Sequence, residues 1–279
     1  MRPLALVGNL SRDRVDGGEP RIGGAPFYGA IALRLLGRRA HVFAKCAGED
    51  RRAFLRALAP IGIPVTLLPA STTTAFSFRY DGDERVMSVD AVGDPWRPDE
   101  LRGLPAAAWV HVAPLLRSDF PAETLARVAR ERRVLFDGQG LVRRPQQGPL
   151  TLDGEYDRAL LEHVAALKLG EEEARVIGSV AELGVDEVIV THGARGAVVH
   201  VRDEVTRIAA HPIGARDPTG AGDAFAVAYA ASRADGYRPA AAARRATAVV
   251  ASLLSGRRRE SPRAAAPPPA VLPRRRFRG

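Results

Sequence analysis

The stretch Asp217-Pro-Thr-Gly-Ala-Gly-Asp-Ala-Phe225 opens an alanine-rich segment near the C-terminus. Gly220 and Gly222 let backbone N–H groups approach a ligand closely, and the helix that starts here adds the positive end of its dipole. Such a loop is a cradle for an anion whose charge grows during a reaction. A carboxylate beside it, Asp223, would repel the anion, so we interpret Asp223 as a base acting on a hydroxyl that attacks a phosphoryl group. A capped helix start with a glycine turn is the alternative.

The composition predicts one large globular domain. The chain has 279 residues, of which 46% are hydrophobic and 26% are charged. Arg, Gly or Pro interrupts every apolar run before the roughly 18 residues that a membrane helix needs, and the N-terminal run is too short for a signal peptide. Cys46 is the single cysteine, which excludes an intrachain disulfide and a cysteine-built zinc site. Together these features favour the cytoplasm, with no membrane partner.

Basic charge is concentrated at the C-terminus. The net charge is +9, but residues 257–279 hold eight arginines and one acid, so they carry +7 and the rest of the chain carries +2. Together with three consecutive prolines, this composition predicts a basic, Pro- and Arg-rich disordered tail over residues 263–279. Nucleic acid is therefore not expected as a partner of the main body, although the tail could bind polyanions.

Lysine usage excludes two common nucleotide sites. Lys45 and Lys168 are the only lysines, and neither follows a glycine, so the chain has no Walker A loop. The protein-kinase set of Val-Ala-Ile-Lys and His-Arg-Asp is also absent.

Short apolar runs alternate with helical apolar spacing along most of the chain. The predicted strands are Leu4–Gly8, Ala40–Ala44, Val65–Leu68, Trp109–Val112, Val134–Asp137, Ala166–Leu169, Glu187–Thr191, Ala197–Val201 and Val205–Ala209. The predicted helices are Ala25–Leu36, Arg51–Leu58, Ala122–Arg132, Tyr156–Val164, Glu171–Ile177, Ala221–Ala234 and Ala240–Leu254. This alternation predicts an α/β fold with a mostly parallel sheet covered on both faces, and ligands beyond the carboxyl ends of its strands.

One segment breaks this alternation. Residues 76–90 alternate apolar and polar around Asp81-Gly82-Asp83, which predicts a hairpin with one dry face. We interpret it as a cover over the site; an edge hairpin without function is the alternative.

Several motifs together resemble the PfkB carbohydrate-kinase (ribokinase-like) family. The segment 217–225 matches its C-terminal signature, and the pair Gly23-Gly24 before a helix, the acids after Gly48 and the loop 191–196 follow in the family's order. The resemblance covers about residues 4–262. It implies a three-layer α/β/α sandwich with a mostly parallel sheet and a small β lid, whose strands lie near 10–22 and 74–92, and a kinase domain over 1–262.

The resemblance also implies roles for individual residues. It implies that Asp223 is the catalytic base and that Gly220, Ala221 and Gly222 form the anion hole. It also implies that Asp13, Gly23 and Gly24 bind the acceptor substrate. On the nucleotide side it implies Thr191, Gly193, Gly196 and Lys168, and it places Asp217 and Thr219 where some members hold a monovalent cation. ATP and Mg²⁺ are the implied cofactors, and a monovalent cation and a homodimer are left open.

The chain also departs from the family pattern. Tyr28 stands where ribokinases and fructokinases usually have an asparagine, which argues against ribose or fructose as the substrate. The Asn-x-x-Glu that orients magnesium and phosphates falls on Gly170–Glu173, so Glu173 remains as the acid without the asparagine; a solvated helix start is the alternative. Asp137, at a strand end, is a candidate substrate ligand. Together with Tyr28 it resembles the inositol- and nucleoside-kinase branch.

The sequence therefore predicts an ATP-dependent kinase acting on a hydroxyl of a sugar, a cyclic polyol or a nucleoside. Two alternatives stay open: a nucleoside kinase, in which Phe76 and Phe78 stack on a base, and a kinase-fold protein of weak activity that binds polyanions through its tail.

Overall fold

The computed structural model describes residues 3–81, 84–213 and 218–260. The strands are β1 (Leu4–Asn9), β2 (Ser11–Val15), β3 (Arg21–Gly23), β4 (Ala40–Ala47), β5 (Val65–Ala70), β6 (Thr74–Asp81), β7 (Glu84–Ala91), β8 (Trp109–Ala113), β9 (Arg133–Asp137), β10 (Gly148–Pro149), β11 (Ala166–Gly170), β12 (Glu187–Thr191), β13 (Ala197–Val201) and β14 (Glu204–Ile208). The α-helices are α1 (Ala25–Leu35), α2 (Gly48–Leu58), α3 (Ala122–Ala129), α4 (Gln139–Val142), α5 (Glu171–Ile177), α6 (Ala221–Ala234) and α7 (Pro239–Glu260).

Nine strands form the main sheet in the described part of the chain, in the order β14-β13-β12-β11-β9-β8-β1-β4-β5. All neighbours from β12 to β5 run parallel, and only β13 and β14 are antiparallel. Consequently β1, β8, β9, β11 and β12 end at one edge of the sheet, where ligands of such folds bind.

The main sheet is buried on both faces, so its strands are nearly continuous apolar runs. On one face, the alanine-rich helices α6 and α7 and helix α1 pack against residues such as Leu6 and Leu135. Residues from α3 and the segment around Leu160 cover the other face, where they pack against Val7 and Phe136. The two faces give the three layers that the sequence predicts, and the α/β/α fold is confirmed.

A second sheet of five strands lies over the carboxyl edge in the order β10-β7-β6-β2-β3. Strands β6 and β7 pair antiparallel, as the alternation over 76–90 predicts, and β2 joins β6 in parallel. Its inner face buries Phe76 and Phe78 against Leu115 and Leu116 of the loop after β8. This sheet is the small β lid; the turn residues Gly82 and Asp83 lie outside the described residues.

One predicted helix is wrong. Segment Tyr156–Val164 forms a 3₁₀ helix over Arg158–His163 instead of an α-helix. The Asp157 side chain accepts a hydrogen bond from the Ala159 N–H (3.0 Å), which starts a tight turn. The adjacent Leu160 and Leu161 are both buried within that turn, so a longer amphipathic helix is not needed.

The tail over 263–279 lies outside the described residues, and its predicted disorder and the domain limits stay predictions. Helix α7 extends beyond its predicted end at Leu254 and continues to Glu260. No helix within the described ranges is both long enough and apolar enough to cross a membrane.

Candidate active site

The site lies where the carboxyl ends of β9 and β11 meet the start of α6. Side chains alternate along each strand, and Leu167 and Leu169 face the layer of α3. Lys168 therefore points to the opposite face, and its register partner in β9 is Asp137. The same face carries α6, whose first turn holds Asp223. Three charged side chains that are distant in sequence are thus brought together.

The loop before α6 has the geometry of an anion cradle. Gly220 adopts a left-handed conformation (φ 76°), and a Cβ there would lie 2.5 Å from the ring of Tyr28. A Cβ on Gly222 would lie 3.2 Å from Lys168 Nζ. Glycine is therefore needed at Gly220, and the ammonium of Lys168 lines the cradle at Gly222.

Lys168 is held by a buried ion pair. Its Nζ donates a hydrogen bond to Asp137 Oδ1 (3.1 Å), and Asp137 is only 1% exposed. Burial opposes the charge on Lys168, but the carboxylates of Asp137, Glu173 and Asp223 outweigh it and raise the pKa of Lys168. Burial likewise opposes ionisation of Asp137, yet the Lys168 ammonium keeps the pKa of Asp137 below its usual value. Lys168 is therefore a fixed positive charge beside the cradle.

Asp223 has the environment of a general base. Burial of its carboxyl group, followed by repulsion from Asp137, raises the pKa of Asp223 to about 7, against opposing effects of Lys168 and Arg143. The residue is only half-buried, so its carboxylate remains within reach of a ligand. A base works best when its pKa is near the working pH, which fits proton transfer at neutral pH.

The predicted acceptor residues also meet here. Asp13 lies on β2 of the lid and contributes to the raised pKa of Asp223. A Cβ on Gly23 would lie 2.0 Å from Asp13 Oδ2, and one on Gly24 (φ 88°) would lie 2.6 Å from the Asn9 carbonyl oxygen. Gly23 thus leaves room for the Asp13 carboxylate, and Gly24 lets the chain pass close to the Asn9 backbone. Asp137, predicted as a substrate ligand, is buried and holds Lys168 instead of reaching into open space; its contact with substrate stays a prediction.

On the predicted nucleotide side, Thr191 ends β12, and its Oγ1 donates a hydrogen bond to the Leu169 carbonyl oxygen (3.1 Å). Gly193 (φ 55°) has open space where a Cβ would stand. At Gly196 (φ 98°) a Cβ would lie 2.0 Å from the Ile208 carbonyl oxygen. Gly196 is therefore required for the packing of β13 on β14, whether or not it also touches a nucleotide.

The candidate metal residues form a sparse set. Glu173 Oε2 accepts a hydrogen bond from the Gly170 N–H (2.7 Å), and Glu173 is buried beside Lys168. Thr219 lies in the turn before α6, and Asp217 lies outside the described residues. Among the residues that the structure describes, no cluster of three or more His, Cys, Asp or Glu side chains could hold a metal. Mg²⁺ does not require one, because donor phosphates, water and one or two carboxylates usually hold it.

Two further residues lie at this site to which the sequence motifs assign no role. Arg143 follows α4 and acts electrostatically on Asp223. His111 on β8 is fully buried, with its Nε2 3.8 Å from Asp137 Oδ2. Side chains alternate between the two faces of β8, so His111 shares a face with Trp109 and Ala113. This alternation could have pointed to His111 as a residue on the site's side of the sheet.

The three layers, the lid and the acid beside a glycine cradle define a small-molecule kinase fold. The family model for pfkB carbohydrate kinases matches residues 8–258. The chain therefore belongs to the pfkB family of carbohydrate kinases, and its class is that of a phosphotransferase with an alcohol as acceptor. The family resemblance seen in the sequence is confirmed.

Three comparisons illustrate its relatives. Inositol 3-kinase of Oryza sativa subsp. japonica is 32% identical over 202 residues, 64% of this chain, and the match spans about half (48%) of that protein. Fructokinase of Klebsiella pneumoniae is 28% identical over 249 residues, 79% of this chain and 80% of that protein. A pyrophosphate-dependent kinase of the ribokinase family, complexed with a pyrophosphate analogue and myo-inositol, has a TM-score of 0.78 with 25% identity, covering 90% of this chain and 95% of that chain.

Proposed function

We propose that this protein transfers a terminal phosphoryl group from a phosphate donor to a hydroxyl of a cyclic polyol of the inositol type. The observation that carries this proposal is the glycine cradle before α6, flanked by Asp223 with a pKa of about 7 and by the Lys168 ammonium. This transfer needs a base for the hydroxyl, and it needs N–H donors and a cation for the phosphoryl group.

The chemistry follows from these groups. Asp223 removes the proton of the acceptor hydroxyl as its oxygen attacks the phosphorus, and the bond to the donor's leaving oxygen breaks. The backbone N–H groups of Gly220 and Gly222 would face the charge that develops on the phosphoryl oxygens. The Ala221 N–H donates a hydrogen bond to the Pro218 carbonyl oxygen (2.9 Å) and would have to leave it to join them. Lys168 holds the donor phosphates beside the cradle. The lid keeps water out, which protects the donor from hydrolysis.

The acceptor pocket supports a polyol more than a nucleoside. Phe76 and Phe78 are 2% and 7% exposed and pack inside the lid, so they do not offer a face for stacking a base. Tyr28 gives the pocket an aromatic wall next to Gly220, and Asp13 supplies a carboxylate for vicinal hydroxyls. The similarity to inositol kinases agrees with this acceptor.

For the donor, we propose ATP with Mg²⁺, as the family resemblance implies. When bound, the metal would neutralise charge on the donor phosphates, and we assign Glu173 as the acid that would hold it. Pyrophosphate is the second candidate donor. The structural similarity to a pyrophosphate-dependent kinase favours it.

A donor-by-acceptor screen tests the proposal. ATP and pyrophosphate are each combined with myo-inositol, fructose, ribose and a nucleoside, and the phosphorylated product is followed by ³¹P NMR, because it reports every donor equally. Phosphorylation of myo-inositol above the other acceptors supports the proposal. Preferred phosphorylation of fructose or of the nucleoside would overturn the acceptor, and absence of product with every pair would overturn the function.

A further inference from the structure

His111 is a buried polar group that the proposed reaction does not yet use. It lies on β8, is 0% exposed, and neither of its ring nitrogens has a hydrogen-bond partner within the described part of the chain. Asp137 Oδ2 is also buried without a partner, 3.8 Å from His111 Nε2. Buried polar atoms are rarely left unsatisfied, so two of them facing each other call for an explanation.

The geometry offers one direct solution. Asp137 Oδ1 accepts the hydrogen bond of Lys168, and Oδ2 is the carboxylate oxygen that lacks a donor. A shift of less than about 1 Å would bring His111 Nε2 within the 2.7–3.2 Å of an N–H···O bond. The side chain has little freedom elsewhere, because Trp109, Leu135 and Ala113 on the same face are buried in the core.

We propose that His111 donates its Nε2–H to Asp137 Oδ2 and so acts as a positioning residue that holds the Asp137–Lys168 pair against the phosphate cradle. In this arrangement His111 orients the carboxylate, the carboxylate orients the ammonium, and the ammonium meets the donor at Gly222. A carboxylate held from both sides cannot rotate away from Lys168. The role of Lys168 toward a donor rests on the proposed function.

The charged groups around this unit come from several elements. Asp137 lies on β9, Lys168 on β11, Glu173 on α5 and Asp223 on α6. Lys168 Nζ bonds Asp137 Oδ1, whereas His111 Nε2 lies 3.8 Å from the other carboxylate oxygen, Oδ2.

The tautomer of His111 gives the first test, and it does not depend on activity. We expect ¹⁵N NMR of histidine-labelled full-length protein to show a proton on Nε2 of His111, because the hydrogen bond of one ring nitrogen fixes the tautomer. The signal is assigned with His111→Gln and should shift in Asp137→Asn. A proton on Nδ1 with a bare Nε2 would overturn the proposal.

The second test measures how tightly pyrophosphate binds beside Lys168. The chain has only two lysines, so protein labelled with ¹³Cε-lysine gives two signals, and Lys45 is an internal reference. Titration with pyrophosphate, the group common to both candidate donors, should move the Lys168 signal. In His111→Leu we expect the dissociation constant to rise about tenfold, the usual worth of a lost hydrogen bond to a charged group.

Rescue separates positioning from mere packing. In His111→Gln the amide can donate from nearly the same place, so pyrophosphate binding should return to within about twofold of the parent. His41→Gln is the matched control, because His41 is a half-buried histidine on β4 that bonds Thr66 and lies away from the site. Equal losses in His111→Leu and His111→Gln, or no loss in either, would overturn the role. Failure of turnover with every donor would count against the proposed function only.

Discussion

The pKa of Asp223 predicts how turnover depends on pH. Burial of Asp223 and repulsion from Asp137 raise its pKa to about 7. A base acts only when ionised, so the rate is lost as the pH falls through this value. The ionised fraction is about 90% at pH 8 and about 10% at pH 6, so kcat/KM should fall about tenfold between them.

A pair of adjacent arginines supplies the control for this profile. Arg143 lowers the pKa of Asp223, so Arg143→Leu should move the midpoint of the profile to higher pH. Arg144 pairs with Asp153 (3.4 Å), so Arg144→Leu should leave the midpoint in place. The terminal phosphate of the donor also titrates, with a second pKa near 6, but neither substitution changes that. A flat profile from pH 6 to 8, or equal midpoints in the two variants, would refute the reasoning.

Three further substitutions test separate parts of the molecule. Gly222→Val should reduce kcat strongly, because its side chain would crowd Lys168 Nζ, which lies 3.2 Å from the Cβ position. Steady-state kinetics measures this, and circular dichroism checks that the fold is retained. A normal rate would mean that the cradle lies elsewhere. Gly196→Ala should lower the melting temperature with or without donor, since its Cβ would meet the Ile208 carbonyl oxygen at 2.0 Å; an unchanged melting temperature would contradict this packing. Removal of residues 263–279 should leave kcat/KM unchanged and should abolish salt-sensitive binding to a polyanion such as heparin. A loss of turnover would mean that the tail contributes to catalysis.

Local patterns were enough to predict most of the fold. Apolar runs and glycine positions predicted the strands of the main sheet and the helices α1, α6 and α7, because each element buries a face that its spacing reveals. The period-two alternation predicted the hairpin of the lid. Tyr156–Val164 was mispredicted, because two adjacent leucines and an Asp157 cap satisfy a tight 3₁₀ turn equally well.

The site was predictable only in part. The segment 217–225 pointed to the cradle and to Asp223, since glycines and an acid at a helix start have a chemical meaning by themselves. The pair Asp137–Lys168 was not predictable as a pair, because it depends on the register of β9 with β11. For His111 the sequence offered a signal in the alternation of β8, but its closeness to Asp137 on the neighbouring strand β9 is set by tertiary structure.

Turnover of Asp223→Asn tests the central claim most directly. The asparagine keeps the size of the side chain but cannot take the proton of the acceptor hydroxyl. We expect the variant to fold and to bind the donor as the parent does, while kcat falls about 10²- to 10⁴-fold, the usual contribution of a general base. A kcat within about threefold of the parent would contradict the account and remove Asp223 from the reaction.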